Sequence, residues 1–303
     1  MKKTIIFIAF FLFGWTLVSG VRIEKALQYN QHTLKDHYKY KKTVRQIQWN
    51  KISQKLDSLL ILEEIATEFG ALNNYKNKNG LAPLVNSFKH NAYKHVVDKN
   101  GTKRDQGIPF YRTGNLSAPE CYGKDGALVW ILRDSADYLV IVPAEFDGVW
   151  LVPSKYVDRL PVRRFTKTIF VDRTNQNIVT LEQTDTAWLV RSMNPATTGV
   201  RRPPYRQETP TGIFVVRSKT TSMMFTKDGN SELAGYAPWA SRFSGGGYIH
   251  GVPVNYPNKK VSEFSWSLGT VPRSHMCVRS ATSHSKFIYD WASTDRALII
   301  IYD

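Results

Sequence analysis

The sequence predicts a mainly β protein with some α-helix (α+β) and a helical segment near its start. Short apolar runs rich in β-forming residues recur from about residue 128 onwards, and polar turns separate them. Helical patterns are confined to two stretches, residues 21–75 and 282–291. With 303 residues, the chain is long enough for more than one domain.

Residues 1–20 have the pattern of a secretory signal peptide. Lys2 and Lys3 precede an uncharged apolar run at 4–18, and small residues follow it. This run is shorter than the roughly 20 residues that span a bilayer, and an uncleaved anchor is the alternative. We therefore expect an exported protein of the periplasm or cell envelope.

Residues 21–107 form a basic segment that we expect to be mainly helical. The formal net charge of the whole chain is +16, and residues 21–55 hold nine Lys or Arg against two acidic residues. An exported protein this basic is expected to meet an anionic wall or membrane surface. A solvated helix face is the alternative for this segment. Export argues against nucleic acid as a partner.

Residues 108–162 are predicted to form a small β-barrel-like module. Apolar runs at 128–132, 138–142 and 148–153 have the length and spacing of short strands. The last run and the residues after it, 150–157, resemble the end of a Src-homology-three-like barrel. Such a module would bind wall components, or serve as a linker without a ligand.

Residues 163–303 are predicted to form a further, mostly β domain. A polar turn at 173–177 joins its first two strands as a hairpin. The predicted strands lie at 168–172, 178–181, 188–193, 213–217 and 297–302, and a helix lies at 282–291.

Cys277 is the candidate nucleophile of the chain, which has only two cysteines. It lies in the run S-H-M-C-V-R at 274–279, and the pair His250-Gly251 ends a glycine-rich strand upstream. A single cysteine with a distant histidine suits nucleophilic catalysis, because imidazole can take the thiol proton. Taken alone, His250 would be a core histidine and Cys277 an inert thiol. A disulfide between Cys121 and Cys277 is a further alternative.

Four motifs in order resemble the catalytic domain of the L,D-transpeptidases, the YkuD-type cysteine enzymes of bacterial cell walls. D-R with a glutamine at 172–176 resembles the opening hairpin, and T-P-T-G-I-F at 209–214 resembles the T-P-x-G-x-F turn. The stretch F-S-G-G-G-Y-I-H-G at 243–251 resembles the strand ending in His-Gly. The run at 274–279 resembles the S-H-G-C-[IV]-[RN] signature, and the resemblance covers residues 166–303.

The resemblance implies a role for each motif residue. Cys277 would be the nucleophile and His250 the base, with the Gly251 carbonyl orienting the imidazole. His275 would line the catalytic pocket and help to hold substrate, and the backbone N–H groups at 276 and 277 would face the developing oxyanion. The implied substrate-binding residues are Arg279, Ser274, Met276 and Tyr248.

The implied reaction is acyl transfer on peptidoglycan stem peptides, through a cysteine thioester that ends as a 3–3 crosslink. An L,D-carboxypeptidase that trims tetrapeptides is one alternative, and a catalytically impaired wall-binding protein is another. The resemblance implies no cofactor. No spacing of histidines, cysteines and acids suggests a metal site.

Met276 departs from the signature, which usually has glycine at this position. Glycine adopts positive φ freely and methionine does not. We expect Met276 to take an ordinary backbone conformation, with its side chain narrowing or lining the pocket. A left-handed conformation would cost about 1–3 kcal/mol of strain.

Overall fold

The computed structural model describes residues 20–258 and 260–303. The predicted signal peptide lies outside these residues, except for Gly20. Within the part of the chain that is described, no helix has the length and apolar character needed to cross a membrane.

The described residues form two α-helices, two 3-10 helices and a series of β-strands. The helices are α1 (Trp49–Ile65) and α2 (Thr282–Trp291), with 3-10 turns at Tyr75–Asn77 and Ser154–Tyr156. The strands are β1 (Ile23–Lys25), β2 (His37–Tyr40), β3 (Thr43–Gln46), β4 (Phe69–Leu72), β5 (Lys89–His90), β6 (Val96–Val97), β7 (Ile108–Phe110), β8 (Cys121–Gly123), β9 (Leu128–Ser135), β10 (Tyr138–Pro143), β11 (Trp150–Pro153), β12 (Val157–Arg159), β13 (Lys167–Asp172), β14 (Asn177–Gln183), β15 (Trp188–Pro195), β16 (Gly212–Val215), β17 (Ser218–Thr226), β18 (Leu233–Ser244), β19 (Gly247–His250), β20 (Val254–Asn255), β21 (Val278–Arg279) and β22 (Ala297–Tyr302). The predicted class, mainly β with α, is confirmed.

The largest sheet has six strands in the order β1-β15-β14-β13-β22-β16. Its interior strand β22 runs parallel to β13 and antiparallel to β16. All six residues of β22 are buried, as expected for a strand that is covered on both faces. This burial explains why the final apolar run of the chain does not alternate with polar residues.

A second sheet has the order β17-β18-β19-β21, with β20 also paired to β18. Helix α2 packs against β18 and β19. The strand β19 ends at His250, and β21 begins one residue after Cys277. This sheet therefore positions both residues that the sequence singled out.

A third sheet, β11-β10-β9-β4-β12, contains the strands predicted for residues 108–162. Its strand β4 comes from before residue 108 and lies between β9 and β12. The sheet thus draws on two of the predicted domains. Closure of this sheet into a barrel stays a prediction.

The prediction that residues 21–107 are mainly helical is wrong. Only α1 is an α-helix there, and β1 pairs in parallel with β15 at the edge of the six-stranded sheet. Strands β2 and β3 form a hairpin, in which His37–Tyr40 alternates between exposed and half-buried side chains. That alternation is the strand period, which the abundance of lysine and arginine concealed.

Candidate active site

Cys277 and His250 belong to two adjacent parallel strands, with His250 the last residue of β19 and Cys277 the residue just before β21. Ile249 pairs with Val278, and His250 pairs with Arg279. Both candidate catalytic side chains are buried, with Cys277 7% exposed and His250 3% exposed. The structure thus brings together the two residues on which the sequence interpretation depends.

The His250 imidazole is fixed by the backbone of the next residue. Its Nδ1 lies 2.7 Å from the Gly251 carbonyl oxygen. A carbonyl only accepts, so Nδ1 carries the hydrogen and Nε2 is left as the basic nitrogen. Burial, followed by the charge of Arg279, lowers the pKa of His250 to about 3. The imidazole is therefore neutral at physiological pH and able to accept a proton.

The Cys277 thiol donates to the carbonyl oxygen of Gly246, at 3.6 Å from Sγ. Burial raises the pKa of Cys277, while the Tyr248 backbone N–H and then the charge of Arg279 act in the opposite direction. A thiol and a neutral imidazole are therefore the resting forms, rather than a thiolate and an imidazolium. Gly246 was not singled out from the sequence, because its contribution is a backbone carbonyl.

Side-chain hydroxyls hold the loop before Cys277. The Ser274 hydroxyl donates to the Cys277 carbonyl, and the Thr209 hydroxyl donates to the Met276 carbonyl at 2.7 Å. Thr209 Oγ1 also accepts from the Gly199 N–H at 2.7 Å. Ser274 is fully buried, so its observed contact is with the loop, and its predicted contact with substrate stays a prediction.

The backbone N–H groups of Met276 and Cys277 have no hydrogen-bond acceptor among the described residues. Most backbone N–H groups in a folded protein are paired, so two adjacent ones without an acceptor are available to a ligand. They are the two groups that the resemblance assigns to the oxyanion. Their chemistry suits that task, because donors already in position need no rearrangement as negative charge develops.

Met276 has a left-handed backbone, with φ of 81°. The expectation of an ordinary conformation is therefore wrong: the loop keeps the conformation that suits glycine, although the residue is methionine. The Met276 side chain lines a cavity together with Gly245, which agrees with the second half of the expectation. The hydroxyl contacts of Thr209 and Ser274 to the loop help to offset this strain.

The remaining predicted residues surround the pair at different depths. His275 is half-exposed, and its Nε2 lies 2.7 Å from Asp228 Oδ1. Arg279 is largely withdrawn from solvent, and its Nε has no hydrogen-bond partner among the described residues. The Tyr248 hydroxyl lies 3.1 Å from that of Tyr75, and burial raises its pKa. Of these three side chains, only that of Arg279 has a buried donor without a partner among the described residues.

The carboxylate of Asp125 supports the loop that carries Gly246. Its Oδ2 accepts from Arg242 at 2.6 Å and from the Gly245 N–H at 2.8 Å, and its Oδ1 accepts from the Asn74 N–H at 2.8 Å. Asp125 and Arg242 are both nearly inaccessible to solvent. Asp125 was not singled out from the sequence, where Asp-Gly is a common turn pair.

The next residue along the chain, Gly126, lets the Asp125 segment approach the second sheet closely. Its φ is 81°, and a Cβ on it would lie 1.7 Å from the Phe243 carbonyl oxygen. No other residue type fits at that distance. The carboxylate of Asp125 therefore reaches the glycine-rich loop from a strand connection outside the predicted catalytic domain.

The two cysteines are not joined. Cys121 and Cys277 are both free and buried. Burial raises the pKa of Cys121 to about 12. Cys121 is therefore an unreactive thiol and a natural internal control for Cys277.

Comparison with solved structures returns L,D-transpeptidases and a related multidomain protein. An L,D-transpeptidase from Mycobacterium tuberculosis H37Rv is 19% identical, with 58% of this chain and 76% of that chain covered and a TM-score of 0.37. An L,D-transpeptidase from Mycobacterium smegmatis is 16% identical, with 57% and 80% covered and a TM-score of 0.35. These scores are too low to support an argument about the site.

A fused Zn-dependent amidase, peptidase and peptidoglycan-binding protein from Clostridium acetobutylicum ATCC 824 is 21% identical to this chain. The match covers 48% of this chain, spans 55% of the other and has a TM-score of 0.33. No curated protein sequence matches the chain.

A family model described as the L,D-transpeptidase catalytic domain matches residues 166–301. The match contains all four motifs on which the resemblance was based, together with Cys277 and His250. Residues 166–301 are therefore identified as an L,D-transpeptidase catalytic domain of the YkuD type.

Proposed function

We propose that this protein is a peptidoglycan L,D-transpeptidase that forms 3–3 crosslinks, with Cys277 as nucleophile and His250 as general base. One observation carries the proposal above the others. The buried neutral imidazole of His250 donates a hydrogen bond to the Gly251 carbonyl. His250 ends strand β19, which pairs with β21, the strand that directly follows Cys277. That arrangement leaves Nε2 as the group that takes the thiol proton.

The resting thiol is activated only when substrate arrives. Cys277 Sγ attacks the carbonyl between the third residue of a stem tetrapeptide and the terminal D-Ala, and its proton passes to His250 Nε2. The negative charge on the carbonyl oxygen is held by the N–H groups of Met276 and Cys277. The imidazolium then gives its proton to the leaving D-Ala amine, and a thioester remains on Sγ.

The second half-reaction restores the enzyme. A side-chain amine of another stem attacks the thioester carbon, and His250 takes the proton that this amine loses. Collapse of the second tetrahedral intermediate breaks the C–S bond, and the proton returns to the thiol. The product amide joins the third residues of two stems. Water as the acceptor would instead give a tripeptide, which is the carboxypeptidase outcome.

Covalent labelling by a carbapenem tests the nucleophile. We expect intact-protein mass spectrometry to show one adduct on the unmodified protein and on Cys121→Ala, and none on Cys277→Ala. The Cys121 variant is the matched control, because both thiols are buried and free. Absence of an adduct on the unmodified protein would exclude an active acyl-transfer site and favour the wall-binding alternative.

Purified muropeptides then distinguish the acceptors. Crosslinked dimers are the expected product of the unmodified protein, and His250→Ala should yield none. Tripeptides without dimers would replace the transpeptidase proposal by the carboxypeptidase one. Unchanged muropeptides, together with retention on insoluble wall material, would leave a binding protein.

We also propose that the protein works in the cell envelope and that its basic N-terminal segment contacts an anionic wall or membrane surface. Four exposed lysines in and around the β2–β3 hairpin support this contact, namely Lys35, Lys39, Lys41 and Lys42. Replacing these four by glutamine should reduce sedimentation with insoluble wall material at low salt. Equal sedimentation of the two proteins would remove the hairpin from the proposal.

A further inference from the structure

A cleft runs from Met276 away from the second sheet, between the predicted catalytic domain and the residues that precede it. A cavity of about 330 Å³ is lined by Met276, Gly245 and residues 207–211 on one side and by parts of 91–107 on the other. A larger cavity of about 960 Å³ adjoins it. The two cavities share five wall residues: Asn100, Thr102, Gly123, Lys124 and Thr211.

The outer wall of the smaller cavity is held in place by polar contacts. The Tyr93 hydroxyl donates to the Arg206 carbonyl at 2.8 Å, and Lys103 Nζ donates to Gln207 Oε1 at 3.0 Å. Residues 91–107 are thus fastened to the chain just before the T-P-T-G turn. The cavity is a built feature of the fold rather than a gap between loose segments.

Seven lysine and arginine side chains line the two cavities, and five of them already donate to an acidic residue. The five are Lys51 with the Asp303 carbonyl, Lys99 and Arg112 with Glu120, Lys124 with Glu145, and Arg173 with Asp303. Lys55 and Lys103 remain, and neither forms an ion pair among the described residues. Lys103 is the one in the cavity that Met276 lines.

The ammonium group of Lys103 is held without a neutralising carboxylate. Its contact with Gln207 is to a neutral amide oxygen, and Asp105 acts on it only at longer range. Lys103 is partly buried, and this burial lowers its pKa, with Asp105 acting in the opposite direction. A partly desolvated cation beside a cavity interacts more strongly with an incoming anion than a solvated one does.

We propose that Lys103 and the cavity beside Met276 bind a carboxylate of a peptidoglycan stem peptide. The identity of the ligand rests on the proposed function, whereas the cationic site rests on the cavity and on Lys103 alone. Stem peptides carry several carboxylates, and Gly245 and Met276 place this cavity next to the loop that holds the thiol. Lys103 is thus a specificity-determining residue supplied from outside residues 166–301.

Direct binding to the full chain with Cys277→Ala tests the site, because that protein cannot turn the ligand over. The probes are a synthetic stem tetrapeptide, the corresponding tripeptide without the terminal D-Ala, and the tetrapeptide with its carboxylates amidated. Calorimetry should show about 10- to 100-fold weaker tetrapeptide binding when Lys103→Gln is added, the range expected for one charge-assisted hydrogen bond. Lys103→Arg should retain most of the affinity.

Matched controls separate a binding role from a structural one. Lys89→Gln removes an exposed lysine on β5 in the same part of the chain, and should leave the dissociation constant unchanged. If Lys103→Gln weakens binding of both the tripeptide and the tetrapeptide, the site binds a carboxylate that both peptides carry. If it weakens binding of the tetrapeptide alone, the site binds the terminal D-Ala carboxylate.

Three results would overturn the proposal. They are equal tetrapeptide binding by Lys103→Gln and its parent, equal binding of the amidated peptide, and no measurable binding of the tetrapeptide to the Cys277→Ala protein. Carbapenem labelling reports on Cys277 independently of this experiment. If the protein is labelled by the carbapenem but binds the peptide equally well without Lys103, the proposed function therefore stands and the proposed Lys103 site is refuted.

Discussion

The left-handed backbone of Met276 predicts an inverted order of stability between two small substitutions. Met276→Gly and Met276→Ala remove the same side-chain contacts beyond Cβ, so those losses cancel in the comparison. The variants differ only in the β-carbon. At the observed φ of 81°, that carbon is the source of strain.

The expected difference combines two opposing free-energy terms. A β-carbon in the left-handed region costs about 1–2 kcal/mol. Glycine loses about 0.5–1 kcal/mol more conformational entropy on folding than alanine does. Met276→Gly should therefore have a free energy of unfolding about 0.75 kcal/mol above that of Met276→Ala, which is the difference between the two mid-range values.

Urea unfolding of the two variants under identical conditions measures this difference, and equal m-values establish that the unfolded states are comparable. At a position with negative φ, alanine is the more stable residue by about 0.4–1 kcal/mol. The sign of the difference thus decides the question. Met276→Ala equal to or more stable than Met276→Gly would refute the left-handed assignment and the account of the loop based on it.

Three further predictions concern buried or closely packed residues. A β-carbon on Gly199 would lie 2.7 Å from the Met276 backbone nitrogen. Gly199→Ala should therefore lower the free energy of unfolding by about 1–3 kcal/mol and slow carbapenem labelling. Labelling at the original rate would contradict this close approach. Asp125→Asn leaves the buried Arg242 guanidinium without its counter-charge and should lower the free energy of unfolding in urea by about 3–5 kcal/mol. The exposed control Asp228→Asn should lower it by under about 1 kcal/mol. Similar losses for the two variants would show that the Asp125 pair is not effectively buried. Burial lowers the pKa of His284 from 6.5 to about 3 in the folded protein. As the pH drops below about 6.5, His284 is protonated in the unfolded state and stays neutral in the folded state, so the free energy of unfolding falls. Between pH 6.5 and 5, His284→Phe should lose up to about 1.4 kcal/mol less unfolding free energy per pH unit than the unmodified protein does. Parallel plots of unfolding free energy against pH for the two proteins would exclude a buried neutral imidazole.

The later part of the fold was predictable because its sequence patterns are local. The helix predicted at 282–291 and the strand at 297–302 coincide with α2 and β22. The strands predicted at 168–172 and 178–181 lie within β13 and β14. In each case, the burial imposed by the sheet agrees with the preference of the residues themselves.

The basic segment was misjudged because long-range pairing determines its structure. Strand β1 has three residues and exists because its backbone pairs with β15, far along the chain. Local composition carries no trace of such a partner. Helix α1 was found within a predicted range that extended well beyond both of its ends.

The candidate site also contains some groups that the sequence predicts and others that depend on long-range contacts. Cys277 and His250 were readable from the motifs, because their chemistry belongs to side chains. The N–H groups at 276 and 277 were expected through the resemblance alone, and the Gly246 carbonyl and the carboxylate of Asp125 were not predicted. Backbone groups acquire a role only through geometry, and Asp125 is distant in sequence from the loop that it supports.

The position of Asp125 has a consequence for how the molecule unfolds. Its carboxylate joins Asn74, Arg242 and the Gly245 N–H, so separating residues 166–301 from the rest would leave a buried cation unneutralised and the glycine loop without its anchor. Gln48 forms a second such link, since its Nε2 donates to Asp172 Oδ2 at 2.8 Å. Residues 166–301, which the family model matches as one domain, are thus expected to be thermodynamically inseparable from the residues before them. Their melting is expected to occur as one cooperative transition with that of the preceding residues.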